Sequence, residues 1–215
     1  MHPEEIQAFP VALNLAGRSV LVVGGSEEAL QKVPKLILAG AAVTIVAPSL
    51  AEPLQLLARH RVVTWYVRDF VPTDVRGAHL VMLTEIEPRR AEQLRALARV
   101  QGFWLCAIDQ PAWSDFFLVS TVVAGPIQLS ISSSGKAPLL ARRMREALEL
   151  ALDAKFAVFA HRFAALRARV RAVPRVQRSE ILKRALDGFA MDVRLSYPEG
   201  HGQGVGDPPE DARDP

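Results

Sequence analysis

The sequence predicts an α/β fold: a parallel sheet wound with helices, then a small α+β segment and a helical C-terminal domain. Three observations carry this. Near-continuous apolar, β-rich runs recur at residues 19–23, 42–47, 62–67, 79–84 and 103–108. Stretches with helical spacing fit between them at 27–38, 50–58 and 88–101. Strands that are apolar on both faces and alternate with helices form a parallel sheet covered on both sides. At 215 residues, half of them hydrophobic, the chain is long enough to bury such a core.

The first run, SVLVV, passes into a glycine turn and a helix in "VVGGSEEALQK", residues 22–32. In a Rossmann turn, G-x-G-x-x-G/A, the first glycine makes the tight turn and the second lets a pyrophosphate approach the backbone. The third small residue allows close packing of helix on strand. Gly24, Ser26 and Ala29 stand at those places, with Gly25 adding flexibility between them. The sheet is thus read as Rossmann-like. The free N–H groups at the helix start favour an anion, and the Ser26 hydroxyl either obstructs a phosphate or donates to it. Glu27 and Glu28 stabilise the helix through its dipole, by about 0.3 to 1 kcal/mol each when exposed, and repel a pyrophosphate brought close. Pro34 is expected to remove a backbone hydrogen bond from this helix, at about 3 kcal/mol unless the helix kinks.

The second run ends "VTIVAPSL", with Ser49 where a ribose-binding acidic residue would sit. The third helix, in "EPRRAEQLRALARVQG", places apolar residues at 91, 94, 97 and 98 and stops at Gly102. The fifth run ends in "CAIDQP", which puts Asp109 at the C-terminal end of a parallel strand, where ligands of open α/β sheets bind. A turn aspartate before Pro111 is the other reading. Beyond Pro111, "FFLVSTVVAGPIQLSISSSG" reads as two strands joined at Gly125-Pro126, and a helix follows over 138–154 with proline in its first turn. Residues 155–190 carry a helical pattern broken near Pro174. From Tyr197 onward glycine, proline and charge leave almost nothing to bury, which predicts a disordered tail. The expected divisions are 1–112, a Rossmann-like NAD-binding domain; 113–150, a dimerisation segment; 151–196, a helical domain; and 197–215, the tail.

Charge is uneven along the chain. Between Lys136 and Arg184 thirteen basic residues face four acidic ones, although the whole chain carries only +3. Such a half attracts an anionic partner, either a polycarboxylate small molecule or nucleic acid, or else it is a solvated helix face. No nucleic-acid recognition motif accompanies it, so no nucleic-acid partner is expected. The single cysteine, Cys106, rules out an internal disulfide and reads as a small buried hydrophobe in a reducing compartment. No segment reaches the about 20 apolar residues of a membrane span, and the N-terminus lacks a signal pattern, so no membrane partner and a cytoplasmic location are expected. The five histidines are scattered and predict no metal site.

Three stretches together resemble the precorrin-2 dehydrogenase / sirohydrochlorin ferrochelatase family, the N-terminal module of siroheme synthase and its stand-alone relatives. They are residues 9–50 with the glycine turn, "AIDQPAWSDFFLVSTV" (107–122) and "LSISSSGKAPLLARRMREALE" (129–149). The S-S-x-G-x-x-P-x-L-A-R-x-x-R run is the most specific of them. The resemblance implies a homodimer that oxidises precorrin-2 to sirohydrochlorin with NAD, and in many members inserts ferrous iron, as substrate, to give siroheme. A chelatase or tetrapyrrole-binding relative without redox activity is the alternative. The resemblance implies Asp109 as the catalytic carboxylate and cofactor contacts at Gly24, Gly25, Ser26, Glu27, Ala29, Ser49 and Thr84. It implies tetrapyrrole contacts at Ser132, Ser133, Ser134, Gly135, Lys136 and Arg142. The sequence departs from the family pattern at Ser26, Glu28, Pro34 and Cys106, and its A-A-T-D/N after the fourth strand reads Met82-Leu83-Thr84-Glu85. A dinucleotide is therefore expected to bind more weakly than in relatives with the full glycine turn.

Overall fold

A computed structural model describes residues 8–85, 87–134 and 136–197. Five parallel strands form the main sheet: β1 (Ser19–Val23), β2 (Ala42–Val46), β3 (Thr64–Tyr66), β4 (Leu80–Leu83) and β5 (Trp104–Ala107), in the order β3-β2-β1-β4-β5. The order reverses between β1 and β4, so a crevice opens beyond their C-terminal ends. Register aligns those ends: Val23 lies beside Val46 and Leu83, and Leu83 beside Ala107.

The pleat explains why these strands are apolar throughout. Val20 and Val22 point into one core with Ala29, Val33 and Leu36 of α1 (Glu27–Leu38) and Leu54 of α2 (Glu52–Arg59). Leu21 and Val23 point the other way, into a core with Ala91, Leu94 and Ala98 of α3 (Pro88–Gln101). Helix α3 stops at Gly102, which takes the left-handed conformation at φ 79° and donates its N–H to the Ala98 carbonyl at 2.8 Å. Helix α1 runs unbroken through Pro34. Burial of Val33 and Leu36 on either side of the proline holds the helix to the sheet and outweighs its missing N–H.

Past the sheet, β6 (Ser120–Ala124) and β7 (Ile127–Ile131) pair antiparallel around Gly125-Pro126. Gly125 has φ 61°, and a Cβ there would lie 2.9 Å from the Ala157 carbonyl. Helix α4 (Pro138–Ala151) ends three residues short of the sequence expectation. Asp153 ends it by capping the next helix, α5 (Ala154–Arg169), where its carboxylate accepts the Phe156 N–H at 2.9 Å. Pro174 marks the break before α6 (Arg175–Arg184), and Phe189 stacks on Phe159 of α5 at 5.3 Å between centroids. Of the tail expected over 197–215, residues 198–215 lie outside the described residues. Among the described residues, no helix is long and apolar enough to cross a membrane.

Candidate functional site

The C-terminal edge of the sheet gathers the glycine turn, the β2–α2 loop, the end of β4 and Asp109. Gly24 leaves β1 at φ 112°, a conformation open to glycine, and a Cβ there would lie 2.5 Å from Thr84 Oγ1. Thr84 is buried; its hydroxyl donates to the Val23 carbonyl at 3.2 Å. It shapes the turn from beneath.

Gly25 has a different role from the flexibility its sequence suggests. A Cβ on it would stand 2.1 Å from the Ser49 carbonyl oxygen and 2.6 Å from Leu50 Cδ2. Its own carbonyl accepts the Ala51 N–H at 2.8 Å. Gly25 is the point where the β1 and β2 loops touch, and it is fixed there. Ser49 is brought to the turn through its backbone.

Ser26 occupies the N-cap of α1, but its side chain makes no capping bond and is exposed. Glu27 faces solvent, whereas Glu28 turns along the helix to Lys32 at 3.3 Å. Ala29 is fully buried, the close helix-to-strand approach that a small residue permits.

The N–H groups of Gly25 and Ser26 converge on one atom. Both donate to Oε1 of Glu85, at 2.9 and 3.1 Å. The donor set therefore suits an anion, and a carboxylate from the end of β4 supplies it. In the sequence Glu85 stands out only as a departure from a motif, with nothing to mark this contact.

Asp109 lies one strand further over. The Ile108 N–H donates to the Leu83 carbonyl at 3.0 Å, after which the chain turns and exposes Asp109 at φ 58°. A left-handed aspartate is tolerated but uncommon. Two residues missed by the sequence reading hold this turn. Ser114 Oγ accepts the Ala107 N–H at 3.0 Å and lies within 3.0 Å of the Ala107 carbonyl and 2.9 Å of the Gln110 carbonyl. Asp115 accepts the Leu105 N–H at 2.9 Å. Both lie in the quoted "AWSDFF", where two adjacent polar residues give no hint of which backbone they would meet. Beneath Asp109, burial pushes the Cys106 thiol up to about 11, against the lowering effect of Lys32 and with a small push from Asp109. It stays a neutral thiol.

The tetrapyrrole candidates form a second group, on the unit built from β6, β7 and α4. Ser132 Oγ accepts the Ser134 N–H and Ser133 Oγ accepts the Ala137 N–H, each at 3.1 Å. The Lys136 N–H donates to the Ser133 carbonyl at 3.0 Å, and Ser134 sits at φ 51°. Two hydroxyls thus build the loop. Gly135 lies outside the described residues. Arg142 is exposed and pairs with Glu146 at 3.0 Å, one turn along α4.

A family model described as "Putative NAD(P)-binding" matches residues 11–120, just over half of the chain, and one described as "Sirohaem biosynthesis protein central" matches 124–149. The chain belongs to the family of that putative NAD(P)-binding model, with a sirohaem-biosynthesis central segment following it. Family relatives include a siroheme synthase of Nitrosococcus oceani, 38% identical over 144 residues, and siroheme synthase 1 of Aeromonas salmonicida, 35% identical over 164. Those matches cover 67% and 76% of this chain but 31% and 35% of the relatives, so the chain spans about a third of their length. A solved structure titled "SirC, precorrin-2 dehydrogenase" shares the fold, with a TM-score of 0.71 over 84% of this chain and 90% of that one, at 21% identity. The glycine turn lies within the residues that the putative NAD(P)-binding model matches.

Proposed function

We propose that the chain oxidises precorrin-2 to sirohydrochlorin with NAD in siroheme biosynthesis, with Asp109 as the proton acceptor. The observation that carries this reading is the alignment on one sheet edge of an anion-accepting turn, at Gly25 and Ser26, with an exposed carboxylate two strands away. Neighbouring strands stand about 4.8 Å apart, so the two strand ends lie roughly 10 Å apart along that edge. NAD, when bound, supplies the hydride acceptor. The chain's own residues would do the rest: the turn N–H groups would hold the pyrophosphate, Ser49 would meet the ribose, and Asp109 would take the proton that leaves with the hydride.

Ferrous iron is a further substrate in this reading. Its insertion would release two pyrrole protons, and the same carboxylate would accept them. The substrate's carboxylates meet Lys136 and Arg142 and the N–H groups at the start of α4. A second copy of the chain completes the 113–150 segment. A two-stranded hairpin is marginal alone, and Val123, Ile127, Leu139 and Leu140 are exposed on it and on α4. Light scattering at a twofold mass supports the homodimer; a monomer at working concentration removes it.

The deciding experiment incubates the protein with precorrin-2 and NAD and follows the tetrapyrrole spectrum. Asp109→Gly accompanies it, because glycine takes the left-handed turn without strain while the carboxylate is lost. We expect turnover in the wild type and a loss of about 100-fold or more in the variant, with NAD affinity kept. An unchanged spectrum beside a competent relative overturns the oxidation. Full turnover by the variant overturns the role of Asp109.

A further inference from the structure

The two N–H groups that a pyrophosphate needs already have an acceptor within the chain. Glu85 stands just past β4, and its side chain lies across Gly24: a Cβ on that glycine would stand 3.1 Å from Glu85 Cγ and 3.2 Å from Cδ. From there Oε1 receives the Gly25 and Ser26 N–H groups at 2.9 and 3.1 Å. The contact spans the crevice between β1 and β4, at the switch point where a dinucleotide would lie.

The geometry points to Glu85 as an internal competitor for the dinucleotide's pyrophosphate, a residue that sets cofactor affinity by occupying the phosphate position with a carboxylate. The inference rests on the NAD reading above and deepens it. Both groups are anions and both require the same two donors, so they exclude one another. Charge-assisted bonds of this kind are the strong ones, and a cofactor must replace them before it gains any of its own. Glu85 is exposed and follows the last residue of β4 by two positions, so its side chain has room to swing into solvent when displaced. Glu27 and Glu28 in the first turn of α1 add negative charge beside the same position.

The test is calorimetric titration of NAD into the full chain as wild type, Glu85→Gln and Glu85→Ala, with amide exchange followed at Gly25 and Ser26. Glutamine keeps an acceptor of the same shape without the charge; alanine removes both. Competition predicts a dissociation constant about fivefold or more lower for the alanine variant, with glutamine between. It also predicts that both amides lose protection in Glu85→Ala and recover it on adding NAD. Equal or weaker binding by the variants overturns the competitor role while leaving NAD binding in place. No binding by any of the three overturns the NAD reading itself, and the competitor role with it.

Discussion

Ser114 Oγ stands 3.0 Å from the Ala107 nitrogen, closing a bracket of chain that contains Asp109. Ser114→Ala leaves a partly buried N–H without its acceptor, so stability should fall by about 1–3 kcal/mol in urea unfolding. If the bracket positions Asp109, kcat falls further than that loss alone explains and Ser114→Thr restores it. A variant with unchanged stability and turnover would mean the bracket holds nothing.

The glycine turn separates two requirements that a sequence motif merges. Gly25→Ala pushes a methyl into the Ser49 carbonyl at 2.1 Å, against backbone on a second loop. Overpacking of this kind costs about 1–3 kcal/mol or more, read as a lower melting temperature. Ser26→Gly removes a hydroxyl that caps nothing, and the change should cost only a few tenths of a kcal/mol. It tests ligand approach alone, and tighter NAD binding is the expected result. Equal melting temperatures for the two variants would contradict this division.

Cys106 predicts a loss of stability in alkali. The folded thiol is raised from 9.0 to about 11, so between those values the unfolded chain has lost a proton that the folded chain keeps. Stability therefore declines as pH rises through this window, by up to about 1.4 kcal/mol per pH unit. Cys106→Ala should flatten the curve between pH 9 and 11, at the cost of a small cavity at neutral pH. Equal slopes for wild type and variant would sink the prediction, as would alkylation of the native thiol at pH 8.

Arg142 carries charge with little structural duty. Its pair with Glu146 is exposed on α4, and such pairs contribute about 0.2 to 1 kcal/mol. Arg142→Ala should leave the melting temperature nearly unchanged and weaken tetrapyrrole binding in a salt-dependent way. Unaltered affinity would return Arg142 to the helix surface as a solvated charge.

Local patterns carried much of the fold. Apolar runs and helical spacing located every strand and helix of the sheet, and the bounds of α1 and α3 follow from Ser26 and Gly102 at their ends. The break at Asp153 was legible in principle: an aspartate before a helical run is an N-cap signal, hidden here by periodicity continuing on both sides. The candidate site was half legible. Gly24, Thr84 and Asp109 come from strand ends, which sequence locates well. Glu85, Ser114 and Asp115 act on backbone far along the chain or across a turn, and nothing in their immediate neighbours encodes a partner 60 residues away, as for Glu85 and Gly25.

The bracket around Asp109 has one more effect. In β5 the Trp104 and Ile108 N–H groups face β4, so those of Leu105 and Ala107 face outward. Asp115 and Ser114 take both of them, and the Asp115 N–H returns to the Leu105 carbonyl at 2.7 Å. The outer rim of the sheet on this side is therefore sealed by the protein's own chain. It offers no template on which a strand from another molecule could add, leaving three-residue β3 as the sheet's other border.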